Sequence, residues 1–370
     1  MSRVIAFYLP QYHPIKQNNE WWGEGFTEWS NVVKAKPRFS GHRQPQLPSD
    51  LGYYDLRVKE TRASQAELAK RYGIDGFCYY HYWFNGEKLL ERPLEEMLEI
   101  SQPDFPFCIC WANENWTRAW DGMEREVLIK QDYTQDDSVE HFNYLSAFFA
   151  DPRYIKVDDK PLFLLYRLDN IPNVAEYISR WRELAIAHGF KGLHISAVKN
   201  GFVTMPDKDI LAIGFDSIVD FQPNRADFPT MKKTTSQHCV DLARKILPTS
   251  FFQLLKGSLS AVNKIDYKQL VAEKTQKIWP TTYVKYPVVF PSWDNTARRK
   301  TPTVIQNDQP DLYQEWLNYS LNSVSSYDEH QQLVFINAWN EWAEGCHLEP
   351  DNVMGHKFLE STLSAVNRKV

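Results

Sequence analysis

Two glutamates, Glu341 and Glu344, stand three positions apart in the run NAWNEWAEGCHLEP, Asn337 to Pro350. A carboxylate pair suits the cleavage of glycosidic bonds. One acid must be kept protonated to push out the leaving group, while the other must be ionised to accept a proton or attack. Residues three apart in a straight strand face opposite sides. For both glutamates to meet one substrate, the chain must turn between Trp342 and Gly345, and Gly345 permits that. The alternative is that one glutamate acts and the other caps a following helix. Trp342 would desolvate Glu344 and raise its pKa, while Asn340 would hydrogen-bond Glu341 and keep it ionised.

Other runs add groups suited to sugars. CWANENWTRAWDG, Cys110 to Gly122, sets Trp111, Asn113, Glu114, Asn115, Trp116 and Arg118 together, mixing aromatic platforms with polar groups. Glu114 is the reserve candidate for a catalytic carboxylate; an ion pair with Arg118 is its structural alternative. In YYHYWF, alternation puts Tyr79, His81 and Trp83 on one face. At a strand end His81 and Trp83 become candidate substrate contacts, set against a histidine satisfied within the core. Tyr166, Arg167, Trp293, Asp294, Trp339 and Asn340 complete the candidate substrate-binding set, with Tyr8 and Tyr12 lining the floor of the pocket. Arg298 to Lys300 reads as a surface charge run. No HExxH or similar spacing occurs, so neither a metal nor another cofactor is called for.

The elements that must position these groups can be read from periodicity. Eight short apolar runs alternate with helical stretches: Arg3 to Tyr12, Gly76 to Phe84, Phe107 to Trp116, Pro161 to Leu168, Leu193 to Lys199, Ser217 to Gln222, Pro287 to Trp293 and Leu333 to Trp339. Helices are expected over Lys59 to Tyr72, Leu94 to Ile100, Ser138 to Ala150, Val174 to His188, Leu312 to Ser325 and Lys357 to Asn367. Near-continuous apolar strands imply a parallel sheet covered on both faces, and eight is the number that closes a (β/α)8 TIM barrel. Polar residues gather at the strand ends, where this fold carries its chemistry: Gln11, His81, Asn113, Arg167, Asn200, Asp294 and Asn340. The competing open doubly wound sheet lacks its Gly-rich phosphate turn. One catalytic domain over residues 1–370 is therefore expected. Its two inserts, about 16–54 and 224–283, read as a loop over the barrel mouth and a helical excursion.

Composition narrows the partners. The chain is 14% aromatic and holds 13 Trp, several beside Asn, Glu and Arg, which favours carbohydrate. A net charge of -5 argues against nucleic acid. The five Cys form no framework, which fits a reducing compartment. Strand-like sequence begins by Val4, leaving no room for a signal peptide, and no apolar run is long enough to span a membrane. The expectation is a cytoplasmic protein. Ala243 to Gly257 (ARKILPTSFFQLLKG) reads as a helix packed on the barrel, with a membrane-surface or partner contact as its alternative.

Together EWWGEGFTEWSNV, GIDGFCYYHYWFNG, FCICWANENWTRAWDG, SWDNTARR and NAWNEWAEG resemble the WbsX-type proteins of bacterial surface-polysaccharide loci, a group related to glycoside hydrolase family 99. The resemblance runs from about Arg3 to beyond Pro350. It implies a (β/α)8 barrel and metal-independent cleavage that retains anomeric configuration. Glu341 would be the base on the sugar's own 2-hydroxyl, and Glu344 the acid that protonates the departing oxygen. The 1,2-anhydro sugar so formed requires a 2-hydroxyl trans to the leaving group, as in α-mannose-like or α-rhamnose-like residues of a surface polysaccharide. WbsX-type proteins are also labelled glycosyltransferases, so transfer in polysaccharide (O-antigen) biosynthesis is the second reading. A non-catalytic carbohydrate-binding barrel is the third.

Overall fold

Strands that are apolar on both faces must be covered on both, and this chain does so by curling its sheet around its own side chains. The computed structural model describes residues 2–118, 123–229 and 262–367. The barrel strands are β1 (Arg3–Tyr8), β2 (Gly76–Phe84), β3 (Phe107–Trp111), β4 (Lys160–Leu165), β5 (His194–Val198), β6 (Ser217–Asp220), β7 (Lys285–Val289) and β8 (Leu333–Ile336). They pair in parallel in that order, and β1 pairs with both β8 and β2, which closes an eight-stranded (β/α)8 barrel. The seam is explicit at Ala6, opposite Ile336 on one side and Phe77 on the other.

Helices lie between the strands: α1 (Lys16–Trp22), α2 (Lys59–Arg71), α3 (Arg92–Ile100), α4 (Gln135–Ala150), α5 (Val174–Ala187), α6 (Asp207–Ile213), α7 (Tyr267–Lys274), α8 (Pro310–Ser323) and α9 (Lys357–Asn367). Their starts follow local chemistry. Thr134 caps α4 by accepting from Asp137 N at 3.2 Å, and Pro sits in the first turn of α3 and α8.

Alternation divides each strand between two cores. Inside the barrel, Phe7 meets Tyr80, Phe221 and Phe335 at ring distances of 5.5, 5.3 and 5.5 Å. Outside, Trp111 stacks on Trp181 of α5 and meets His141 of α4 edge-on at 4.6 Å. Cys78, Cys108, Cys110 and Cys346 are free and buried.

The strands are shorter than the apolar runs. β1, β3, β4 and β8 leave the ladder at Tyr8, Trp111, Leu165 and Ile336, and their polar tails become the loops of the barrel mouth. The first insert is structured. A short helix, Trp29–Val32, packs against the turn that carries Glu344; Trp29 meets Trp342 at 5.6 Å and donates to Tyr54 O at 2.9 Å. From the second insert the structure describes the single turn Arg225–Asp227, Asn263–Lys264 and α7, whereas Ala243 to Gly257 falls outside the described residues. Among the described residues no helix is long and apolar enough to cross a membrane.

Candidate active site

After β8 the chain makes a hairpin: Asn340–Glu341 pairs antiparallel with Cys346–His347, and Trp342–Glu344 forms a single tight turn closed by Gly345 at φ 54°. The turn brings Glu341 and Glu344 to one side. Nη1 of Arg298 lies 3.5 Å from Glu341 Oε2 and 3.2 Å from Glu344 Oε1. The two side chains differ in exposure, 9% for Glu341 and 21% for Glu344. Burial pushes the Glu341 carboxyl well above the usual range, the Glu344 charge adds to this, and Arg298 opposes it.

The hairpin is held from behind. Tyr12 donates to the carbonyl of Asn340 and accepts from Trp342 N at 3.2 Å. The Asn340 amide binds Leu9 in both directions, accepting from its N–H at 2.7 Å and donating to its carbonyl at 3.0 Å. The Trp342 indole stacks on His347 and donates to Glu349 at 2.7 Å. Glu349 is pushed up to about 7 by burial, although Gln65, Trp342 and Tyr54 all donate to it.

These bonds correct the local electrostatic expectation. Trp342 faces His347 rather than covering Glu344, and Asn340 is spent on Leu9 rather than on Glu341. The hairpin buries the first glutamate, so the raised carboxyl is Glu341. A base whose pKa is raised toward the working pH is a stronger proton acceptor once ionised.

Gly345 is where a side chain would break this arrangement. A methyl group there would lie 2.8 Å from Gln46 Nε2, 2.9 Å from Asp294 Cβ and 3.1 Å from Asp294 N. Together with its positive φ, this predicts that Gly345→Ala loses about 2 kcal/mol in denaturant unfolding and moves Glu344. An alanine variant as stable as wild type would contradict the account.

The other candidates separate into two groups. Tyr166 and Trp116 come to the mouth. Tyr166 lies over Phe221 at 5.5 Å and Tyr80 at 6.1 Å, close enough to Glu344 and Glu341 for their charges to raise its pKa, after burial and Glu114. Trp116 is part-exposed against Tyr82 at 5.3 Å and Trp21 at 5.7 Å. Trp293 is part-exposed in a two-residue strand that packs against the Glu344 turn. Glu114 pairs with Arg167, which also binds Asp169 at 2.8 Å. Asn113 ties down this rim, donating to Arg167 O and accepting from Arg167 N, each at 2.8 Å.

The remaining candidates face away from the mouth. His81 points at α4, with Nε2 2.9 Å from His141 Nε2, and burial lowers its pKa to about 3. Trp83 donates to Asp137 of α4 at 2.7 Å, and Tyr8 donates to Gln65 of α2 at 2.7 Å. Trp111 and Trp339 are fully buried, the latter 5.2 Å from Phe77. Asp294 is buried between His42 at 2.6 Å and Gln44 at 2.7 Å, partners that hold its pKa down against burial. The cause is parity. β2 turns Tyr79, His81 and Trp83 outward to the helices and presents Tyr80 and Tyr82 to the barrel.

Sequence reasoning missed three residues. Tyr82 follows from alternation once β2 is phased by Tyr80. Arg298, read as part of a surface charge run, is the cation between the two glutamates. Glu28, in GFTEWSNV, is fully buried with Oε1 3.7 Å from Arg298 Nη2. Among the described residues no group of three His, Cys, Asp or Glu is placed to hold a metal ion. A groove of about 650 Å3 beside α1, lined by Pro14, Ile15, Asn19 and Arg57 among others, includes none of these groups.

The family model described as Glycosyltransferase WbsX matches residues 4–362, nearly the whole of the barrel. The chain belongs to the WbsX family. Two curated proteins named uncharacterized protein WxcX, from two strains of Xanthomonas campestris pv. campestris, are each 38% identical over 369 residues, 99% of this chain and 50% of theirs. The WbsX chain thus spans about half the length of the curated relatives it matches. Among solved structures, the family 99 endo-alpha-mannosidase of Bacteroides thetaiotaomicron with bis-tris propane superposes with a TM-score of 0.59 at 13% identity, covering 99% of this chain and 96% of that one. A structure named glycoside hydrolase-like protein gives 0.61 at 12% identity, covering 98% and 93%. The WbsX chain therefore shares its fold with these two structures.

Proposed function

We propose that this chain is a retaining glycoside hydrolase or transglycosylase acting on α-mannose-like or α-rhamnose-like residues of a bacterial surface polysaccharide. The observation that carries the reading is that Glu341 and Glu344 share one guanidinium nitrogen at the barrel mouth. Carboxylates that close can both reach a single sugar ring. Trp116, Tyr82, Tyr166 and Trp293 supply aromatic surface around them.

In this scheme Glu341 takes the proton from the sugar's 2-hydroxyl as that oxygen attacks C1. The bond from C1 to the leaving oxygen breaks, and Glu344 gives that oxygen its proton. Water, or an acceptor sugar, then opens the 1,2-anhydro ring at C1. Glu344 takes the incoming proton and Glu341 returns its own to O2. Two inversions at C1 give net retention.

The test is a panel of α-mannans and α-rhamnans, with products followed by NMR for linkage and anomeric outcome. The expected result is cleavage or transfer with retention; inverted product would exclude the anhydro route. The name of the family model favours one other reading, a glycosyltransferase using an activated donor. It predicts a thermal shift with nucleotide sugars and none with oligosaccharides. Because the chain spans half of its curated relatives, the activity proposed is that of this barrel.

A further inference from the structure

Arg298 poses a problem for acid–base work. A part-buried guanidinium touching both glutamates favours their ionised forms, and a pair stripped of its proton has no acid with which to expel a leaving group. The structure supplies a third carboxylate. Glu28 immediately precedes the short helix Trp29–Val32, which rests on the Glu344 turn. It is fully buried, and neither of its oxygens has a hydrogen-bond partner. The Asn31 side-chain amide acts on it as a loose donor that lowers its pKa, short of full hydrogen-bond geometry. Among the described residues Arg298 is within reach of Glu28, its Nη2 at 3.7 Å while Nη1 faces the pair.

We infer that Glu28 is a positioning residue: it holds Arg298 from the far side and shares its charge, so that Glu341 and Glu344 keep one proton between them. The inference rests on the reading of those two glutamates as the working carboxylates.

The charge pattern fits. Burial lowers the Arg298 pKa, but Glu28 is foremost among the carboxylates that raise it, ahead of Glu344 and Glu341, and Tyr82 adds to them. The groups facing Glu28 electrostatically are Arg298, Glu344 and Glu341, with the phenols of Tyr12 and Tyr82. Burial raises the Glu28 pKa, Arg298 and the Asn31 amide oppose this, and Glu344 adds to it. With Glu28 neutral, Arg298 still has Glu341 and Glu344 beside it, so no cation is left uncompensated. Removing the Glu28 charge should therefore leave the fold intact.

The experiment replaces Glu28 by Gln and follows the Glu341 carboxyl by 13C NMR through a pH titration, assigned by difference against Glu341→Gln. With Glu28 neutral, Arg298 acts undiminished on the pair, and the Glu341 titration should move to lower pH by about one unit. The acid limb of the rate profile should move with it, in a protein of unchanged melting temperature. Glu28→Asp keeps the charge and should restore most of the shift. Glu28→Met gives the same test should the Gln variant fold poorly. An unmoved Glu341 titration in a folded variant would overturn the inference, whatever happens to the rate. The titration needs no substrate. Failure of the wild-type protein to cleave any glycan would count against the hydrolase reading alone.

Discussion

Glu341→Gln and Glu344→Gln are each expected to lower turnover of a natural glycan by about a thousandfold, since a positioned acid or base contributes about 10²–10⁴. Their leaving-group dependence should differ. An aryl glycoside with an acidic phenol leaves without a proton, so Glu344→Gln should recover most of its loss on such a substrate. Glu341→Gln should not, because the 2-hydroxyl still has to lose its proton for C1 to be attacked. The pH profile separates them again. Burial and the Glu344 charge raise the Glu341 carboxyl, and the group must ionise before it can act as base. The wild-type rate should therefore rise with pH through an acid limb, and Glu341→Gln should lose that limb. The Gln variants are near-isosteric, and each removes a charge from a crowded acidic cluster, so the fold should tolerate both. Wild-type turnover in both variants would end the proposal and move the chemistry to other residues.

The fold was legible because the signals that set it are local and repeated. Eight β-branched and aromatic runs separated by amphipathic helices admit few closed solutions, and the six expected helices lie within a few residues of their observed positions. The turn at Trp342 to Gly345 was legible for the same kind of reason: a glycine follows two glutamates that a straight strand would have kept apart. Face assignment was less accessible. In GFCYYHYWF every residue is aromatic, apolar or histidine, so the pattern carries no phase of its own. The eye goes to His81 and Trp83, whereas the barrel takes Tyr80 and Tyr82. Asp294 and Asn340 misled in another way. Both stand at strand ends in polar runs, but their hydrogen bonds go to His42, Gln44 and Leu9, groups far away in sequence. Arg298 and Glu28 were hidden by the converse effect. An arginine in ARRK resembles a solvated surface, and nothing local shows that a glutamate 270 residues earlier will lie 3.7 Å from it.

Parity has a thermodynamic consequence, because histidines turned into dry cores must stay neutral. His81, His141, His13 and His194 are all buried. Burial lowers the pKa of His81 to about 3 and those of His13 and His194 to about 4, and it takes His141 well below its ordinary value. The His81–His141 contact agrees, since Nε2 facing Nε2 at 2.9 Å has room for one proton. The unfolded chain binds protons at these sites below its own pKa of about 6.5, and the folded chain does not. Their contribution to stability is present above that pH and is lost as pH falls toward the folded values. Each histidine costs about 1.4 kcal/mol per pH unit over that window. Glu349 has the opposite sign: its folded pKa of about 7 means that its contribution is lost as pH rises from the ordinary carboxylate range toward neutrality. Glu341 and Glu28, whose carboxyls burial also raises, share that sign, so the histidine contribution is read at a single site. The measurement is urea unfolding at pH 5 and at pH 7.5. His194→Gln isolates one site, because Gln can keep the bond that His194 Nε2 makes with Ser217 Oγ at 2.9 Å. The variant should lose about 2 kcal/mol less than wild type between those two pH values. Equal losses in the two proteins would mean that His194 is charged in the folded state.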